Sequence, residues 1–127
     1  MILLVTGDRN WSDVVCLNLK LDDLLRKRGI ELLIQGGARG ADTLAKEWAE
    51  SRGVPVLTEE ARWEQYGRAA GPIRNEVMLD MLGMARLAGK DTFVVAFHPH
   101  LDNSKGTKNM VTQAKAAGLE VELVNGQ

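Results

Sequence analysis

Three features of the sequence predict an α/β fold with a parallel sheet. Five short apolar runs are near-continuous rather than alternating, amphipathic helical stretches lie between them, and glycines mark the junctions. Parallel strands are buried on both faces and need crossover helices, so this alternation implies a sheet covered on both sides.

The first strand is Ile2-Leu3-Leu4-Val5, ending at Thr6-Gly7. Val14, Leu17, Leu21, Leu24 and Leu25 recur every three or four residues as one helical face, with Ser12 or Asp13 as N-cap and Gly29 as the stop. Leu32-Leu33-Ile34 is the second strand, halted by Gly36-Gly37. The next helix carries Ala41, Leu44, Ala45 and Trp48 on one face and closes at Gly53. In the third strand, Val54-Pro55-Val56-Leu57, the proline removes a backbone donor and assigns the strand to a sheet edge.

Residues 58–70 read as irregular chain. A helix then opens at Gly71-Pro72, where proline's missing N–H costs little, with Ile73, Val77, Met81, Met84 and Ala88 as its buried stripe. Phe93-Val94-Val95-Ala96-Phe97 is the fourth strand. A polar loop from His98 to Ser104 leads to a last helix bearing Met110, Val111, Ala114 and Ala117 and capped by Gly118; Val121-Glu122-Leu123-Val124 is the fifth strand. Right-handed crossovers give a Rossmann-like, doubly wound sheet in the order 3-2-1-4-5. No linker or repeat interrupts it, so residues 1–127 read as one domain.

Composition narrows the function classes. The formal net charge is −1 and aromatic residues are 5%, which argues against a nucleic-acid partner needing a basic track with repeated aromatics. Cys16 has no second cysteine to pair with, and no apolar segment approaches a membrane span or a signal sequence. The expected compartment is the cytoplasm.

Ligands of open α/β sheets bind outside the carboxyl ends of the strands, where strand order reverses. The loops at that edge carry residues a core does not need. The first is Thr6-Gly7-Asp8-Arg9. The second, Gly36-Gly37-Ala38-Arg39-Gly40-Ala41-Asp42, runs into a helix whose free N–H groups and dipole form an anion site, to which Arg39 adds a guanidinium. Its pattern is neither GxGxxG nor a P-loop. Asp42 suits the helix dipole or a ribose hydroxyl.

The third loop ends in Gly71-Pro72-Ile73-Arg74-Asn75-Glu76, placing Arg74 and Asn75 in a helix's first turn. A cation there opposes the dipole and calls for an anionic partner, either Glu47, Glu76 or a ligand phosphate. The fourth is Ser104-Lys105-Gly106-Thr107, which offers an ammonium, amides and a hydroxyl. Trp63, and after it Tyr66, are candidates to stack on a base. His98, His100 and Asp102 alternate as metal ligands would, but no further His or Cys lies near them, so no metal or cofactor is assigned.

Together the motifs resemble the YspA-like branch of the SLOG superfamily, Rossmann-like relatives of the LOG phosphoribohydrolases and of DprA. The resemblance runs from Leu4 to about Val121. It rests on Val5-Thr6-Gly7-Asp8-Arg9, on Gly36 to Asp42 with Leu44, Ala45 and Trp48, and on Trp63 followed by Gly67-Arg68-Ala69-Ala70-Gly71-Pro72-Ile73-Arg74-Asn75. It implies binding of nucleotides or nucleotide-derived signals, and some members sit near phage-conflict genes. The chain departs from the LOG enzymes after the fourth strand. Of their Pro-Gly-Gly-x-Gly-Thr motif only Gly106-Thr107 match, and Met110 stands where the catalytic glutamate would fall.

The expected activity is binding of a phosphorylated nucleotide-derived molecule, as sensor or sequestering protein. The alternative is a hydrolase acting on an N-glycosidic or phosphate bond, with Asp42, Asp8, His98 or Asp102 as acid or base. Related folds commonly dimerise, and the apolar faces of the third and fourth helices are the candidate contact for a homodimer or higher homo-oligomer.

Overall fold

The computed structural model describes residues 1–126. Five parallel strands, β1 (Ile2–Gly7), β2 (Leu32–Gln35), β3 (Val56–Thr58), β4 (Thr92–Phe97) and β5 (Val121–Val124), form one sheet in the order β3-β2-β1-β4-β5. The long helices are α1 (Val14–Arg28), α2 (Ala41–Arg52), α4 (Ala70–Leu87) and α5 (Gly106–Ala116), with a single turn, α3 (Trp63–Tyr66), before α4. This is the predicted doubly wound α/β architecture. No helix among the described residues is long and apolar enough to cross a membrane.

Strand side chains alternate between two apolar layers, as the two-residue period requires. Leu3, Val5, Leu33, Phe93, Val95 and Phe97 meet Leu17, Leu21 and Leu24 of α1 and Ala45 and Trp48 of α2. Ile2, Leu4, Ile34 and Val94 meet Met78, Leu79 and Leu82 of α4 and Met110 and Ala114 of α5. Both faces of β1 and β4 are therefore covered, which is why these strands read as unbroken apolar runs.

Local chemistry sets the boundaries. Asp13 caps α1 by accepting the Cys16 N–H at 3.0 Å. Gly53, at φ 70°, closes α2. β3 is an edge strand as expected, but Val54 and Pro55 precede it rather than belong to it.

Three expectations are corrected. Residues 58–70 are not wholly irregular: α3 and a 3₁₀ turn (Gly67–Ala69) run directly into α4, which begins at Ala70, ahead of Pro72. The buried stripe of α4 is Gly71, Asn75, Met78, Leu79 and Leu82, whereas Met84 is 72% exposed. Arg74, Asn75, Glu76, Asp80 and Arg86 spread polar groups around this helix, and the buried stripe includes one of them, Asn75. Val14 and Ala117 also lie outside the core on exposed faces.

Candidate functional site

All four loops named from the sequence meet at the carboxyl edge of the sheet. β1 delivers Gly7, Asp8 and Arg9; β2 and α2 hold the loop from Gly36 to Asp42; α4 presents Arg74 and Asn75; and the start of α5 brings Lys105, Gly106 and Thr107. Two clefts open there and share a wall. One, about 420 Å³, lies between β1, β4 and the start of α5. The other, about 790 Å³, extends across the glycine-rich loop to Trp63.

Arg9, Ala38, Arg39 and Arg74 line both clefts. Gly7, Asp8, Asp42, Asn75, Lys105, Gly106 and Thr107 line only the smaller, and Gly36, Gly37 and Trp63 only the larger. Gly40 lines neither. Its φ is 77°, and a β-carbon there would overlap the carbonyls of Asp8 and Arg9, so this glycine lets the first two loops touch. Gly7 has a similar packing duty: a β-carbon would collide with Phe97 O and with Ala41 Cβ.

The glycine-rich loop differs from the open anion cradle expected. Its anion comes from the chain itself. Asp42, 7% exposed, accepts the N–H groups of Gly36 and Ala38 on Oδ2, each at 3.2 Å. The Gly37 N–H donates to Gln35 Oε1 at 2.6 Å. Three consecutive amides that could have faced a ligand are thus used internally, because the left-handed turn at Gly37 (φ 76°) curls the loop around the first turn of α2.

Burial pushes the Asp42 carboxyl up to about 6, opposed by its two N–H donors and by the positive charges of Arg74 and Arg9. Oδ1 of Asp42 makes no hydrogen bond among the described residues, and the residue borders the smaller cleft.

Arg74 pairs with neither Glu47 nor Glu76. Its Nη1 donates to Gly36 O at 2.7 Å and its Nε to Asn75 Oδ1 at 3.1 Å, so the arginine packs back on the loop across the end of the sheet. Burial and the like charge of Arg9 lower its affinity for the proton, and the Asp42 charge acts in the opposite sense. By contrast Arg9, Arg39 and Lys105 form no ion pair among the described residues.

The arginines elsewhere show the difference. Arg28 bridges Asp91 and Glu120, and Arg52 holds Asp22 at 2.9 Å.

Trp63 stands half exposed on α3, with its ring against Gly71. Tyr66 borders a separate hollow of about 250 Å³ with Arg62 and Ile73 and does not join Trp63 in the larger cleft. His98 is buried, and its Nδ1 accepts the His100 N–H at 3.0 Å. A 3₁₀ turn at Leu101–Asn103 then breaks the alternation that would have aligned His98, His100 and Asp102. Among the described residues no cluster of three or more potential metal ligands forms.

Sequence reasoning missed Gln35. It is fully buried, donating to Thr58 Oγ1 at 2.5 Å while accepting from Gly37, so it locks the loop to the neighbouring strand. The signal was a lone polar residue ending an apolar strand just before two glycines. Ser104 was named only as part of its motif. Its Oγ accepts the Thr107 N–H at 3.0 Å and shapes the start of α5. Met110 is fully buried in the core, so the position where the LOG enzymes would carry a catalytic glutamate has no access to the cleft.

Comparison with known proteins identifies a relative and a family. The gene 61 protein of Mycobacterium phage D29 is 37% identical over 125 residues, covering 94% of this chain and 92% of that protein. Residues 1–66, which include two of the four loops and Trp63, match the profile of one protein family. The chain therefore belongs to the YspA, cpYpsA-related SLOG family.

Proposed function

We propose that the protein binds a phosphorylated, nucleotide-derived small molecule at the carboxyl edge of its sheet, as a sensor or sequestering protein. The observation that carries this reading is the concentration of Arg9, Arg39 and Lys105, in no ion pair among the described residues, around two clefts that share a wall and also contain Arg74. Cations in such a setting favour an anion, and the planar guanidinium fork matches phosphate. The half-exposed Trp63 at the far end of the larger cleft supplies a flat apolar surface for a base. Family membership is consistent with a nucleotide-related ligand.

Native mass spectrometry of the protein as purified from cells, followed by denaturation, tests the reading. A released nucleotide supports it. An empty protein that also fails to bind any member of a nucleotide panel in calorimetry overturns it.

A second reading, hydrolysis of an N-glycosidic or phosphate bond in such a ligand, is favoured by Asp42. A buried carboxyl titrating near 6, with one oxygen unengaged beside the cleft, has the character of a general acid or base. Cleavage products formed by the wild-type protein and absent with Asp42→Asn would establish hydrolysis.

A further inference from the structure

Among the described residues, Glu60 is the single acidic side chain lining the larger cleft, which it shares with Arg9, Arg39 and Arg74. Glu60 forms no ion pair among the described residues, although three guanidiniums share its cleft. Its side chain lies over the glycine-rich loop. A β-carbon at Gly37 would stand 3.0 Å from Glu60 Cγ and 3.4 Å from Oε1, so the absence of a side chain at Gly37 makes room for this carboxylate. Trp63, 50% exposed, lines the same cleft.

An ionised carboxylate is an acceptor with two oxygens and no donor. Beside an arginine-held phosphate, it repels any further anionic group and any ring edge that presents lone pairs. It favours a flat ring with two adjacent N–H donors.

The nucleobases differ sharply by this criterion. Guanine offers its N1–H and exocyclic amine side by side. Adenine and cytosine each set a ring-nitrogen lone pair beside the amine, and uracil flanks its one N–H with carbonyls.

Resting on the reading of this edge as a nucleotide site, we propose that the larger cleft selects guanine. Trp63 stacks on the ring, and Glu60 accepts the N1–H and the exocyclic amine.

Calorimetric titration of the full chain with GMP, IMP, AMP, CMP and UMP tests the inference. GMP is expected to bind about tenfold or more tightly than AMP, CMP and UMP, with IMP, which keeps only N1–H, in between. Glu60→Gln, which replaces one acceptor by a donor at an exposed position, should remove the guanine preference from both sides, weakening GMP and, by relieving repulsion of the adenine ring-nitrogen lone pair, strengthening AMP. AMP, CMP or UMP binding as tightly as GMP, or a guanine preference that survives in Glu60→Gln, overturns the guanine assignment and leaves the nucleotide site standing. Failure of all five to bind overturns both.

Discussion

Arg74 donates to the carbonyl oxygen of Gly36 across 38 positions of sequence, at 2.7 Å, and so ties the second turn of α4 to the glycine-rich loop. The same side chain is a wall of both clefts. Arg74→Ala should weaken binding of a nucleotide monophosphate by about 1.5–3 kcal/mol, the scale of a charged hydrogen bond. It should also cost about 1 kcal/mol of stability by leaving the Gly36 carbonyl without its donor. Calorimetry and urea denaturation measure the two effects separately; undiminished affinity would remove Arg74 from the site.

Asp42 links stability to pH in an unusual direction for an acid. Its folded carboxyl keeps its proton to about pH 6, whereas an unfolded aspartate releases it near pH 4. Its contribution to stability is therefore full below about pH 4 and declines as pH rises through 6. Asp42→Asn removes the charge, and its carbonyl oxygen can still accept from Gly36 and Ala38. This variant should be more stable than wild type by about 2–3 kcal/mol at pH 7.5 and nearly equal to it at pH 4. Thermal melts at both pH values decide the matter, and a destabilised Asp42→Asn at pH 7.5 would contradict the assignment.

The same titration should reach the ligand. Sulfate carries a constant charge, so its affinity should rise several-fold in the wild-type protein as pH falls through 6 and the adjoining carboxylate is neutralised. Other polar groups line the same cleft, so Asp42→Asn is the control. A pH response of equal size in that variant would assign the effect to another group.

Gly40 holds a φ of 77° with no room for a β-carbon between itself and the carbonyls of Asp8 and Arg9. Gly40→Ala should cost about 2–4 kcal/mol through backbone strain and overlap combined. Gly53, at φ 70°, has open space around it, and Gly53→Ala should cost only about 1 kcal/mol. Equal denaturation midpoints for the two variants would show that contact between the first two loops is unimportant.

Trp63→Ala should separate base from phosphate. Loss of a stacking partner weakens nucleotide binding by about 1–3 kcal/mol, while affinity for sulfate stays unchanged. Parallel losses for both probes would mean that the ring supports the cleft rather than contacting a base.

The fold was legible in the sequence because parallel strands buried on both faces leave unbroken apolar runs such as Phe93 to Phe97, and because Gly29, Gly53 and Gly118 end their helices visibly. The meeting of the four polar loops at the carboxyl edge, where the candidate site lies, followed from topology. Partners within the site were not legible. Arg74 meets Gly36 only after the sheet has formed, and Asp42 finds its two amides only because Gly37 turns left-handed. The facing of α4 was obscured by two overlapping apolar stripes, resolved by burial of Asn75. α3, at four residues, is too short to display a helical period.

The internal bonding of Gly36, Gly37 and Ala38 has a dynamic consequence. A segment outside any helix or strand normally exchanges its amide hydrogens with solvent quickly, yet these three are each engaged by a side chain of the protein itself. The segment should exchange slowly, protected along with the strands beneath it. Ligands would then meet a surface whose shape is already fixed, and little freedom would be lost on their arrival.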